Sequence, residues 1–319
     1  MTAFSRILGT GGHLPERIVT NHDLERTLDT SDSWIVERTG IRSRRVVADG
    51  ETCCDLAEQA ARRAMAAAGV ESEAIDLVVV ATTTPDQTFP STACLLQQRL
   101  GIRGCPAFDV QAVCTGFIYA LSVVDKFIRT GSARCALVVG ADTISRILDW
   151  EDRGTAILFG DGAGAVVVGS ASEPGIMSSH LYADGAFKDL LQVPAGIGNG
   201  RAGSPYMQMR GNEVFRMAVT ILGRIVDEAL DGASMTRSDL DWLVPHQANI
   251  RIIQATARKL DLPMERVIVT VEEHGNTSAA SVPLALDAAI RDGRIQRGQT
   301  MLMEAFGGGL TWGSILARY

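Results

Sequence analysis

The sequence predicts an α/β fold built from two similar halves, and three observations carry that reading. Strand-like apolar runs alternate with helix-like segments along the chain. Two pairs of these runs recur at one spacing: Ile75-Asp76-Leu77 matches Leu240-Asp241-Trp242, and Ala136-Leu137-Val138 matches Met301-Leu302-Met303, each 165 residues apart. At 319 residues the chain suits two such units, and no proline-rich or low-complexity linker separates them. The expected division is 1–172 and 173–319, two halves sharing one core, with ligand sites where they meet.

The elements follow in order. "IDLVVVATT" (75–83) and "CALVVGAD" (135–142) are apolar runs bounded by polar turns, which read as strands buried on both faces. Between them Phe117, Ala120, Leu121, Val124 and Ile128 recur at helical spacing, and Gly131 ends that helix. "GDGAGAVVVG" (160–169) reads as a glycine turn followed by a strand. A dinucleotide fingerprint needs a helix at that point, so nicotinamide chemistry is disfavoured. Further on, "WLVPHQAN" places His246 just past a strand end, and Asn276-Thr277-Ser278 reads as a helix start before Ala279, Val282 and Leu286.

Composition removes other classes. The net charge of −7 disfavours general nucleic-acid binding. No apolar run reaches the length of a membrane span, and "MTAFSRILGTGGHLPERIV" has no apolar signal core, so no membrane is expected and the cytoplasm is the expected compartment. The six cysteines show no CxxC spacing and no neighbouring histidine cluster. Reduced thiols are therefore expected, with no disulfide framework and no metal site.

One cysteine stands apart. Cys114 falls where a strand end turns into the Phe117 helix. The positive end of a helix stabilises a thiolate, so its pKa is expected to fall below that of a free thiol. The plainer alternative is an inert core cysteine. Asn276 has a bland alternative too, as the cap of its own helix. At the repeat spacing the two helix starts are counterparts, one bearing a thiol and the other an amide. "EAFGGGLTWG" (304–313) adds three consecutive glycines, read either as backbone N–H groups aimed at an oxyanion or as a tight turn or bulge.

The segments "DVQAVCTGF", "VPHQANIRI", "HGNTSAAS" and "EAFGGGLTWGS", with "TSDSWIVERTGI" and "FPSTACLLQQRLGI", together resemble the signature segments of β-ketoacyl-acyl carrier protein synthase III, in the same order and over essentially the whole chain. The resemblance implies a thiolase-like fold, two duplicated halves layered α-β-α-β-α, and a homodimer. It implies a decarboxylating condensation of an acyl-CoA starter, acetyl-CoA in the first place, with malonyl-acyl carrier protein. No cofactor is implied beyond coenzyme A as part of the substrate.

Carried over by position, Cys114 resembles the nucleophile and His246 and Asn276 its partners. Gly308 resembles the residue sharing an oxyanion hole with the Cys114 N–H, and Phe306 the phenylalanine beside the decarboxylation site. Phe89 resembles the residue that one subunit inserts into the other's acyl pocket. Trp34, Arg38, Arg153 and Asn249 resemble contacts for coenzyme A. Gln111 and Val113 are bulkier than the alanines many members carry beside the cysteine, which bears on the shape of the acyl pocket.

The carrier protein is acidic, so a net-negative chain needs a local basic face. Arg251 and Arg258 are two helical turns apart, with Lys259 adjacent, and Arg216 matches a further basic position of the family. Rival readings are a relative using another starter in a specialised pathway, a cysteine hydrolase, and a non-catalytic partner subunit. The hydrolase would use water where a condensing enzyme excludes it, and the partner subunit would lack Cys114.

Overall fold

The computed structural model describes residues 4–319. Its first sheet orders the strands Phe4–His13, Gly162–Ala171, Cys135–Asp142, Leu77–Ala81 and Ala107–Val110. The second orders Trp242–Pro245, Thr300–Gly307, Thr311–Arg318 and Ile176–Ala183. Leu77–Ala81 lies parallel to both of its neighbours, and Trp242–Pro245 lies parallel to Thr300–Gly307.

The 165-residue spacing extends to register. Leu77 pairs with Ala136, and Trp242 with Met301. The repeat then shortens: Ala136 pairs with Val168 and Met301 with Ala317, so the spacing drops from 165 to 149 across the hairpin connection. The first half thus carries sixteen more residues there, a segment that includes Arg153 and Leu158–Gly160. In the second half the fifth strand shrinks to one bridge, Leu243 to Val267.

Helices form the other three layers. Cys53–Ala68 and Thr92–Arg99 cover the outer face of the first sheet. Gly211–Gly232 and Ile250–Lys259 lie outside the second. Between the sheets run Gly116–Arg129 and Ser281–Arg291. The face expected for the first of these is the buried one: Phe117, Ala120, Leu121, Val124 and Ile128 have no solvent exposure. Each fully buried large aliphatic side chain in this layer contributes about 1.5–3 kcal/mol. The helix ends at Thr130, with Gly131 in the left-handed region as expected.

"GDGAGAVVVG" departs from its reading. Its glycines lie within or just before the strand Gly162–Ala171. At Gly164 a Cβ would sit 2.7 Å from both the Leu284 backbone N and the Pro283 Cβ. The glycine is there because the second central helix lies directly on that strand, a long-range reason that no local pattern displays.

Candidate active site

A cavity of about 710 Å³ opens between the halves. Its deep wall contains Cys114, His246, Asn276 and Phe306, all buried. Toward solvent it is lined by Trp34, Arg38, Arg153, Asn249 and Arg251. Residues from positions 34 to 306 are thus brought to one space.

The backbone around Cys114 explains its placement. Val113–Thr115 forms a tight 3-10 turn leading into Gly116–Arg129. Val113 adopts φ +50°, which costs a branched residue about 1–2 kcal/mol. Thr311 holds the turn through its Oγ1, which donates to Ala112 O at 2.9 Å. Behind it the strand Thr300–Gly307 ends at Gly307, where a Cβ would lie 2.8 Å from Cys114 N and 3.1 Å from Thr115 N. Of the two readings of the triple glycine, the structure displays the tight turn: 308–310 connects the paired strands, and Gly307, just before it, lies in close approach to the helix start. Gly308 is buried in that turn, next to Val113 and Leu191.

The expected fall in the thiol pKa does not occur in the free protein. Burial pushes Cys114 up to about 12, with the Asp142 charge acting in the same direction. The Ser278 side chain and the Cys114 N–H oppose the rise without reversing it. Desolvation is the main cause, because the sulfur is enclosed and its charged form loses water. The resting thiol is neutral.

His246 follows the strand Trp242–Pro245, and its N–H donates to Glu304 O at 2.8 Å. Burial lowers its pKa to about 3, so the imidazole is neutral. Its Nδ1 is buried without a partner. An unpaired acceptor is tolerated inside proteins better than an unpaired N–H, which favours the proton on Nε2. The adjacent Gln247 fixes the loop. Its Nε2 donates to Pro245 O at 2.8 Å and Ile268 O at 2.9 Å, and its Oε1 accepts from Thr270 N at 2.8 Å and Val271 N at 3.1 Å. Sequence reasoning passed over Gln247, although it neighbours His246 in "PHQAN".

Asn276 is held at both ends. Its N–H donates to Leu158 O at 2.9 Å, and its carbonyl accepts from Gly160 N at 3.0 Å. Its Oδ1 accepts from Ser278 N at 3.0 Å. This bond, two residues on, is a local turn preceding the helix and not its cap, since the capping positions fall at Thr277 and Ala280, and occupying Oδ1 leaves the Nδ2 hydrogens as free donors.

At the cavity mouth, the Ser31 hydroxyl caps the helix Asp32–Thr39. The Trp34 ring meets the guanidinium carbons of Arg153 at 4.9 Å and Arg38 at 5.6 Å from its centre. Asn249 caps Ile250–Lys259 through Arg251 N at 2.8 Å and donates to Arg38 O at 3.1 Å. This joins the two helices that line the entrance.

Arg216, Arg251 and Arg258 are exposed, and Arg251 lies over the Phe215 ring at 5.3 Å. Lys259 is exposed as well, but its Nζ donates to Val219 O at 2.7 Å, so its charge is tethered beside the neighbouring helix. Phe89 lies apart from the cavity and is 81% exposed. No group of three His, Cys, Asp or Glu suited to a metal ion occurs among the described residues. No helix among them is long and apolar enough to cross a membrane.

Known proteins match this arrangement along its length. The family described as 3-oxoacyl-[acyl-carrier-protein (ACP)] synthase III matches residues 108–185, and its C-terminal counterpart matches 230–319. The beta-ketoacyl-[acyl-carrier-protein] synthase III of Thioalkalivibrio sulfidiphilus is 65% identical over 320 residues, covering 99% of each chain. That of Alkalilimnicola ehrlichii is 63% identical, covering 99% of this chain and 100% of the relative. Among solved structures, 3-oxoacyl-[acyl-carrier-protein] synthase III from Aquifex aeolicus VF5 superposes with a TM-score of 0.94 at 46% identity, over 99% of this chain and 100% of that one. The priming beta-ketosynthase of the R1128 polyketide biosynthetic pathway gives 0.95 at 39% identity, over 99% and 96%. The fold is thus thiolase-like, as the motifs implied, and with identities of this size over its full length the chain belongs to the β-ketoacyl-[acyl-carrier-protein] synthase III family.

Proposed function

We propose that this chain catalyses the initiating condensation of fatty-acid synthesis, joining an acyl-CoA, acetyl-CoA in the first place, to malonyl-acyl carrier protein. One observation carries the reading: a buried thiol, a neutral imidazole and an oriented amide share a cavity whose mouth bears an indole in contact with two guanidinium groups. Cys114 Sγ attacks the thioester carbonyl, the bond to the coenzyme A sulfur breaks, and the thiol proton leaves with that sulfur. Cys114 N–H and Gly308 N–H serve the tetrahedral oxyanion.

In the second half-reaction the malonyl carbon–carboxylate bond breaks and carbon dioxide leaves. The electron pair enters the thioester as an enolate. His246 Nε2–H and Asn276 Nδ2–H donate to its oxygen, and neither group is charged. The enolate carbon attacks the acyl-Cys114 carbonyl, the carbon–sulfur bond of the enzyme breaks, and the released thiolate takes a proton from solvent to restore the neutral thiol. Phe306 supplies an apolar wall, which favours loss of a carboxylate as neutral carbon dioxide.

Trp34, Arg38 and Arg153 take the adenine and phosphates of coenzyme A, and Asn249 lines the channel for its pantetheine arm. Arg216, Arg251, Arg258 and Lys259 form the docking face for the carrier protein. A homodimer supported by the exposed Phe89, a cytoplasmic location, and a division between residues 172 and 173 complete the proposal. The first sheet's strands end at Ala171 and the second's begin at Ile176, which supports that division.

The test separates the half-reactions. Asn276→Ala and His246→Ala are expected to retain acyl transfer to Cys114, read by intact mass, and to lose carbon dioxide release from malonyl-acyl carrier protein by about a hundredfold. Normal carbon dioxide release by Asn276→Ala contradicts the mechanism.

A further inference from the structure

The repeat brings two strand ends onto two helix starts. Gly307 ends Thr300–Gly307 against the turn Val113–Thr115. Asp142, 165 residues earlier, ends Cys135–Asp142 against the matching turn Ser278–Ala280. At the first contact there is only hydrogen on Cα. At the second there is a fully buried carboxylate.

That carboxylate is fully engaged. Its Oδ2 accepts from Ala279 N at 3.1 Å, and Ala279 is the residue that matches Cys114 in the repeat. Its Oδ1 accepts from Thr83 N at 2.7 Å, Thr84 Oγ1 at 3.0 Å, and Thr82 Oγ1 and Thr84 N at 3.2 Å. No salt bridge reaches it among the described residues. Five uncharged donors therefore offset its desolvation, four from the first half and one from the helix start of the second.

We propose that Asp142 is a positioning residue of the decarboxylation half-reaction: it occupies the helix start that Gly307 leaves open on the other side, and so sets where Asn276 presents its amide. This rests on the reading of Asn276 as a donor to the enolate oxygen. The link is short. Asp142 holds Ala279 N, the preceding Ser278 stands at φ +50°, and the Ser278 N–H in turn holds Asn276 Oδ1 at 3.0 Å. A shift of the Ala279 N–H therefore rotates the amide away from its partner His246.

Asp142→Asn tests this with little change in shape. Wherever the new NH2 points, it meets an N–H, either that of Ala279 or those of Thr83 and Thr84. The expected result is a fall of about tenfold or more in kcat for carbon dioxide release from malonyl-acyl carrier protein, with KM unchanged. Acyl transfer from acetyl-CoA to Cys114, followed by intact mass, should stay within about threefold. A general structural defect would lower both half-reactions alike, so equal losses overturn the proposal, as does an unchanged kcat for carbon dioxide release.

Asn276→Ala, run in parallel, separates the two ideas. If it also releases carbon dioxide normally, the reading of Asn276 fails. If it loses release while Asp142→Asn does not, only the role of Asp142 fails. Should Asp142→Asn unfold, Thr84→Val removes one donor from the same carboxylate and keeps its charge. A fall of about threefold confined to carbon dioxide release supports the proposal, and a uniform loss or none overturns it.

Discussion

The turns Val113–Thr115 and Ser278–Ala280 have the same length, the same spacing from the following helix and the same φ of +50° at their first residue. They meet across the pseudo-dyad, where a Cβ on Gly116 would lie 3.4 Å from that of Ala279. Yet one presents Cys114 under a bare glycine, and the other presents Ala279 under a carboxylate. The difference shows how a duplicated backbone acquires two roles. On the open side the Cys114 N–H meets no carboxylate, whereas on the filled side Asp142 ties down the Ala279 N–H close to Asn276.

The largest effect should come from closing the open side. Gly307→Ala puts a methyl group 2.8 Å from Cys114 N, against backbone that has no free path to move. Acyl transfer to Cys114 is expected to fall about a hundredfold, the scale of losing one oxyanion donor. Overpacking should cost about 1–3 kcal/mol in addition. Pre-steady-state acylation with melting curves would check both, and full acylation speed in the variant would mean the two turns tolerate the same cover.

A second experiment reads the charge that crosses between them. Burial holds the Cys114 thiol near 12, so its thiolate fraction grows with pH. Alkylation by iodoacetamide should rise about tenfold per pH unit from 7 to 10. A plateau near neutral pH would instead mean an ion pair with His246, which is neutral here because burial lowers its pKa to about 3. Burial also raises the pKa of Asp142, and its donors oppose that rise. In its ionised form its charge raises the thiol pKa, so Asp142→Asn should move the alkylation curve to lower pH. A curve moved upward would reverse the sign assigned to this contact.

The smallest effect concerns the basic face, which belongs to the second half alone. Arg251→Glu should slow condensation with malonyl-acyl carrier protein about tenfold at low salt and less at moderate salt. Acyl transfer from the small acetyl-CoA should change by no more than about threefold. Equal losses with both substrates would place carrier-protein docking elsewhere.

Local pattern determined a good deal. Apolar runs specified strands, the 3.6-residue period specified the buried face of Gly116–Arg129, and the 165-residue spacing carried through to strand register. The catalytic candidates were legible because strand ends and helix starts are local features, and Cys114, His246 and Asn276 all sit at them. Tertiary structure decided what depends on enclosure and on distant partners. Burial reversed the direction expected for the Cys114 pKa, since desolvation is a property of the packed cavity. Gly164 and Gly307 gained their meaning from backbone more than a hundred residues away. Asp142 gained its meaning through a hydrogen bond to Ala279 that closes only when the two halves meet, and Gln247 through bonds to Ser281 and Thr270 that form once its own half packs. A sequence records which groups a chain owns and their local periodicity. Which groups lose water, and which donor meets which acceptor, is settled only when the layers pack.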